Sequence, residues 1–116
     1  MTLDNQQKTF EELEAKLQEL LHAALSGIFG LQAFRPGQQE AIWHLLLNRD
    51  ILAVMPTGSG KSLIYQMAGL LNKGTTIIIS PLISLMKDQV DKLNRRNIPA
   101  TFINSTLSAL EKHERL

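Results

Sequence analysis

An α/β fold, built on a parallel sheet of three strands with helices on both faces, is the class this sequence predicts, and three observations carry it. Apolar runs recur at residues 51–55, 75–80 and 100–104, the second of them strongly β-branched. Segments whose apolar residues recur at steps of three and four separate these runs. Strands that alternate with helix-length segments join as βαβ units, which are parallel and need cover on both faces.

Before the first run, Phe10, Leu13, Leu17, Leu20, Leu21, Ala24 and Leu25 trace an amphipathic helix over residues 9–25. Thr9 with Glu12 is a capping-box signature for its start, and Gly27 and Gly30 stop it. Pro36 suits a first turn, so a second helix is expected from about Pro36 through Ala41, Ile42, Leu45 and Leu46 to about Asn48. A third follows over residues 61–71 and closes at Asn72-Lys73-Gly74; a fourth spans about 82–95 after Pro81; a last one starts near Ser108. In a parallel sheet ligands gather beyond the carboxyl ends of the strands. The loops at 56–60, 80–82 and 104–106 leave those ends and are expected to share one rim.

The most specific stretch is Met-Pro-Thr-Gly-Ser-Gly-Lys-Ser at residues 55–62. A loop that wraps a polyphosphate must turn several backbone N–H groups inward, and Gly58 and Gly60 permit the dihedrals and the close approach. The helix that starts near Lys61 adds its positive end. Lys61 can set an ammonium between two phosphates, and the Ser62 hydroxyl suits a magnesium ion that bridges them. The strict pattern asks for glycine where this chain has Met55. Taken alone, the stretch is also compatible with a Gly/Ser turn in which Lys61 is merely solvated; an apolar run before it and a helical pattern after it favour the phosphate loop.

Composition narrows the classes. The chain has 116 residues, 44% hydrophobic and 20% charged, with net charge +1 and no cysteine. That length suits one domain or part of one, and the balance argues against disorder. Disulfides, thiolate metal sites and cysteine nucleophiles are excluded. His22, His44 and His113 show no ligand spacing, so they read as surface residues. No apolar run approaches the ~20 residues that cross a bilayer, and Met1-Thr2-Leu3-Asp4-Asn5 lacks a signal pattern. Trp43, Met55, Met67 and Met86 fit core positions. Lys87, Lys92, Arg95 and Arg96, interleaved with Asp88 and Asp91, read as a solvated helix face.

Three motifs in order carry a family resemblance: residues 29–40, Phe-Gly-Leu-Gln-Ala-Phe-Arg-Pro-Gly-Gln-Gln-Glu; residues 55–66, Met-Pro-Thr-Gly-Ser-Gly-Lys-Ser-Leu-Ile-Tyr-Gln; and residues 80–90, Ser-Pro-Leu-Ile-Ser-Leu-Met-Lys-Asp-Gln-Val. Over residues 29–106 the chain resembles the N-terminal part of a RecQ-family ATP-dependent DNA helicase. The resemblance implies a P-loop, RecA-like half-domain at 29–116, incomplete, preceded by a helical extension at 1–28. It implies ATP and magnesium as cofactors, with Arg35, Gln38, Thr57, Gly58, Ser59, Gly60, Lys61 and Ser62 around the nucleotide. Lys61 and Ser62 would be the catalytic residues and Ser62 the metal ligand. Gln38 matches the glutamine that reads the adenine edge, and Arg35 the arginine that packs on the base; without the other motifs both would pass for polar residues at a helix start. Leu31 stands where the family often has an aromatic residue, so stacking on the base would be weaker or purely apolar.

Ser80, Pro81 and Leu82 match the family's first DNA-contacting motif, and Asn104 and Ser105 a weaker one that is equally a helix cap before Ser108. The implied partners are single-stranded and duplex DNA, no membrane, and the remaining helicase lobes. The family's acidic Asp-Glu-x-His motif is absent, and Asp50, Asp88 and Asp91 stand in other contexts. The 116 residues therefore read as the opening portion of a 3′-to-5′ helicase of recombination and repair, inactive alone, in the cytoplasm of a bacterium or the nucleus of a eukaryote. A non-catalytic fragment with weak ATP or DNA binding, and another P-loop NTPase, are the alternatives.

Overall fold

The computed structural model describes residues 3–116, with side chains from residue 5 onward. Five helices follow in order: α1 (Leu3–Gly27), α2 (Gln38–Leu46), α3 (Lys61–Leu71), α4 (Ile83–Arg95) and α5 (Ala109–Arg115). The chain divides into two compact units, one ending at Thr75 and the other running Thr76–Leu116.

The fold is helical, and this corrects the three-strand parallel sheet expected from the sequence. No strand or sheet forms among the described residues. The three apolar runs are there as irregular chain. Leu52 is 91% and Val54 87% exposed, and Ile77 and Ile79 are 83% and 94% exposed. The physical reason is that a strand is a paired state: an extended run satisfies its N–H and C=O groups only across a ladder, and apolar composition alone supplies no partner. The rim that strand ends would have defined goes with the sheet.

In the first unit, α2 packs against α3. The core gathers Leu21, Ala24 and Leu25 from α1, Phe29 from the following turn, Ile42 from α2, and Leu63, Ile64, Met67 and Ala68 from α3. Leu21, Leu25, Ile42 and Met67 are almost wholly enclosed, and full burial of such a side chain contributes about 1.5–3 kcal/mol. Trp43 and Met55 are half-buried at the edge of this core. The N-terminal half of α1 leaves Phe10 and Leu13 more than 60% exposed.

Helix α1 begins six residues before Thr9. That residue does not cap it: the Thr9 hydroxyl donates to the Asn5 carbonyl at 2.9 Å, the back-bond of a hydroxyl inside a helix. At the other end the Leu31 N–H returns to the Leu25 carbonyl at 3.0 Å across Gly30, which takes the left-handed φ of 66° that such a stop requires. Helix α2 starts two residues after Pro36 because Gly37, also left-handed at φ 85°, separates them. Helix α3 has the bounds its periodicity gives.

The second unit holds α4 and α5. Lys87 pairs with Asp91 at 2.8 Å and Lys92 with Asp88 at 3.0 Å, each one turn apart and exposed, as the solvated-face reading expects. Arg115 donates to the Phe102 carbonyl at 2.9 Å, and its guanidinium lies 4.6 Å from the Phe102 ring centre.

Helix α5 is closed by a reciprocal capping box. The Glu111 N–H donates to the Ser108 hydroxyl, and the Ser108 N–H donates to the Glu111 carboxylate, both at 3.1 Å. The Ser108 backbone bond, then its side-chain bond, hold the Glu111 carboxyl below its usual 4.5. A depressed folded-state value means the cap is fully present above that usual value and is lost as pH falls through the folded one. Carbon-13 shifts of residues 109–115 are expected to lose helical character on acidification below about pH 4.5, and Glu111→Gln is expected to flatten that dependence. A profile unaltered by Glu111→Gln would contradict the assignment.

Candidate phosphate-binding site

The site forms where the irregular run at 51–55 turns into α3. Residues 56–60 make a tight loop in which the Ser59 N–H donates to the Pro56 carbonyl at 3.1 Å. Gly58 (φ 81°) and Gly60 (φ 84°) are both left-handed, conformations that cost other residues about 1–2 kcal/mol. Gly60 is also the N-cap of α3, so Lys61 and Ser62 are the first residues of the helix and no side chain caps it there. The first-turn N–H groups have no partner within the helix, and the dipole makes that end attractive to anions.

Two side chains, Arg35 ahead of α2 and Gln38 at its first position, grip this loop from more than twenty residues away in sequence. Arg35 Nη1 donates to the Gly58 carbonyl at 2.5 Å. Gln38, 3% exposed, accepts from the Arg35 N–H at 2.7 Å through Oε1 and donates to the Gly60 carbonyl at 2.9 Å through Nε2. A Cβ on Gly60 would press on that nitrogen, so any other residue there must displace the Gln38 amide as well as bear the left-handed φ.

The residue set suits a polyphosphate on an observation independent of the motif. The Ser59 hydroxyl is buried and has no hydrogen-bond partner among the described residues, a state that otherwise costs about 1–3 kcal/mol and that an anionic oxygen would relieve. Ser62 Oγ accepts from the Tyr65 hydroxyl at 3.3 Å. Tyr65 belongs to no phosphate-loop motif position, and only its spacing of three along the helix, which puts it on the face of Ser62, signals this contact. Thr57 and Lys61 are exposed at the loop's surface. An open cleft of about 570 Å³ adjoins Arg35, lined also by Glu14, Gln18, Phe34, Glu40 and Trp43.

The structure thus brings together Arg35, Gln38, Gly58 and Gly60, with Ser59, Lys61 and Ser62 beside them in sequence. Ser80, Pro81, Leu82, Asn104 and Ser105 belong to the second unit. There the Ser80 hydroxyl accepts from the Leu82 N–H at 3.2 Å, immediately ahead of α4. Asn104 Oδ1 accepts from the Thr106 N–H at 2.9 Å, an Asx turn, while its Nδ2 reaches Met86 Sδ at 3.6 Å. Asn104 thus closes its own turn, and Ser108 caps α5. No cluster of three metal-ligating side chains occurs among the described residues, and no described helix is long and apolar enough to cross a membrane.

Comparison with known proteins gives the class. The profile of the DEAD/DEAH box helicases matches residues 35–115, and the chain belongs to that family. Its relatives there are of RecQ type. It is 54% identical over 101 residues to the ATP-dependent DNA helicase RecQ of Bacillus subtilis, covering 84% of this chain and 17% of that protein. It is 46% identical over 101 residues to the RecQ helicase of Pasteurella multocida, covering 87% of this chain and 16% of that one. The ATP-dependent helicase SGS1 of Saccharomyces cerevisiae is 45% identical over 94 residues, 78% of this chain and 6% of that protein. The chain thus spans about a sixth of the length of its bacterial relatives.

Proposed function

We propose that this chain is the nucleotide-binding portion of an ATP-dependent DNA helicase that moves 3′ to 5′. The observation that carries the reading is the loop itself: two left-handed glycines deliver Lys61 and Ser62 to the uncapped start of α3 beside the buried, unpartnered Ser59 hydroxyl. The names of the relatives, ATP-dependent DNA helicases, support nucleotide and DNA as its ligands.

On this reading the first-turn N–H groups of α3 and the Ser59 hydroxyl donate to phosphate oxygens, and Lys61 neutralises charge between the β- and γ-phosphates. Magnesium, when bound, would withdraw charge from the same phosphates, with Ser62 Oγ as its protein ligand and Tyr65 holding that hydroxyl's orientation. Arg35 supplies a planar cation for the base at the edge of the adjoining cleft. In the second unit, the α4 N-terminus at Ser80, Pro81 and Leu82 and the turn at Asn104 and Ser105 are proposed to hold the phosphates of single-stranded DNA, contacts that position the strand without reading its sequence. Hydrolysis needs acidic and arginine side chains supplied from elsewhere in the helicase.

The test is the ATPase rate of the full-length protein with and without single-stranded DNA. A rate that rises severalfold with DNA is expected. Hydrolysis indifferent to single-stranded DNA would exclude the helicase reading, and phosphorylation of a small acceptor would favour another P-loop enzyme.

A further inference from the structure

Helix α1 carries apolar residues that the core does not use. Leu21, Ala24 and Leu25 near its end are buried. Ahead of them Phe10, Leu13, Leu17 and Leu20 recur at steps of three, four and three, the spacing of a helix that packs lengthwise on another helix. Phe10 and Leu13 are more than 60% exposed, Leu20 is 49% exposed and Leu17 is half-buried. Apolar side chains scattered singly on a surface are ordinary, whereas four in one row over about 15 Å of helix form a contiguous face of the kind that marks an interaction site.

We propose that this stripe docks a helical segment of a partner protein, apolar on one face and rich in lysine or arginine beside it. Charge selects that occupant. Between residues 8 and 19 the helix has four glutamates, at positions 11, 12, 14 and 19, against Lys8 and Lys16, in a chain whose net charge is +1. At about 100° per residue, Glu11 and Glu14 fall on one side of the stripe, and Glu12 with Lys16 on the other. None of the four glutamates is in an ion pair among the described residues, whereas on α4 two lysine–aspartate pairs are closed within the helix. Two copies of the chain joined along this stripe would bring acid-rich flanks together. Nucleic acid and an anionic bilayer meet the same repulsion, since helices that lie on membranes are basic on their polar face. A basic amphipathic helix supplies the apolar contact and the opposite charge at once. The stripe lies apart from residues 56–62, so this inference does not rest on the function proposed above.

The experiment titrates the full-length protein with a labelled synthetic peptide of three heptads, leucine at the first and fourth position of each and lysine beside them, and with the same peptide carrying glutamate for lysine. The lysine peptide is expected to bind at least tenfold more tightly than the glutamate peptide, and more weakly as salt is raised. Leu13→Asp, which sets a charge in the stripe, is expected to weaken the lysine peptide by about tenfold or more. Phe10→Asp repeats that test one turn earlier; both residues are largely exposed, so the thermal midpoint is expected to hold. Glu11→Lys combined with Glu12→Lys is expected to weaken the lysine peptide by about fivefold and to favour the glutamate peptide, the scale of two exposed ion pairs. Failure of the wild type to bind the lysine peptide overturns the proposal, as does equal binding of the two peptides or binding indifferent to both aspartate variants. Self-association of the wild type, or its binding to vesicles rich in phosphatidylserine, would also overturn it if Leu13→Asp abolished either one, because the stripe would then have a different occupant.

Discussion

Lys61→Ala is expected to lower kcat/KM for ATP in the full-length protein by about a hundredfold or more without lowering its thermal midpoint. A charged hydrogen bond to phosphate contributes about 1.5–3 kcal/mol, and losing a donor that acts on developing charge costs about 2.7–4 kcal/mol in turnover. Stability is expected to move the other way. Lys61 is exposed and is the first residue of α3, where the helix already presents its positive end and the first turn holds no acidic residue. A cation there is unfavourable by about 0.3–1 kcal/mol, so its removal should leave the midpoint unchanged or slightly raised. Turnover that survives Lys61→Ala would remove it from the site, and a midpoint that falls with turnover would make its role structural.

Gly60→Ala is expected to be more damaging than Gly58→Ala, although both glycines are left-handed at nearly the same φ. The dihedral penalty of about 1–2 kcal/mol is common to the two. They differ in what a methyl group meets. At Gly58 nothing lies within 4 Å, whereas at Gly60 the new carbon would press on Gln38 Nε2 and stand 3.7 Å from the Arg35 side chain. Alanine at 60 must therefore expel the Gln38 amide from a buried position, break its bond to the loop and leave a polar group to be satisfied again. Nucleotide affinity is expected to fall more than tenfold for Gly60→Ala and by only a few-fold for Gly58→Ala, as titration of each variant would measure. Equal losses would mean that the clasp from Arg35 and Gln38 has no part in holding the loop.

Local chemistry was legible in the residues and pairing was not. Helix α3 has the bounds that its apolar spacing gives, and Ser108 with Glu111 closes α5 through side chains three apart. Helix α1 runs further back than its capping signature because Thr9 bonds backward to Asn5, a competition that pattern reading does not resolve. Helix α2 starts late because a left-handed Gly37 intervenes, and nothing in the pair Pro36-Gly37 states which of the two opens the helix. The runs at 51–55, 75–80 and 100–104 have strand composition but no ladder, because a strand depends on a partner that composition does not supply. The turn at 56–60 was visible as a glycine-rich motif. Its clasp was not, because Arg35 and Gln38 reach Gly58 and Gly60 across 23 and 22 positions and only the folded α2–α3 pair brings them together.

The most direct test is a crystal structure of the full-length protein with magnesium and a nonhydrolysable ATP analogue. The expected result has the β- and γ-phosphates within hydrogen-bond distance of the Lys61 ammonium, the Ser59 hydroxyl and the N–H groups that open α3, with Ser62 on the metal. Phosphates bound anywhere else, with residues 56–62 untouched, would contradict it.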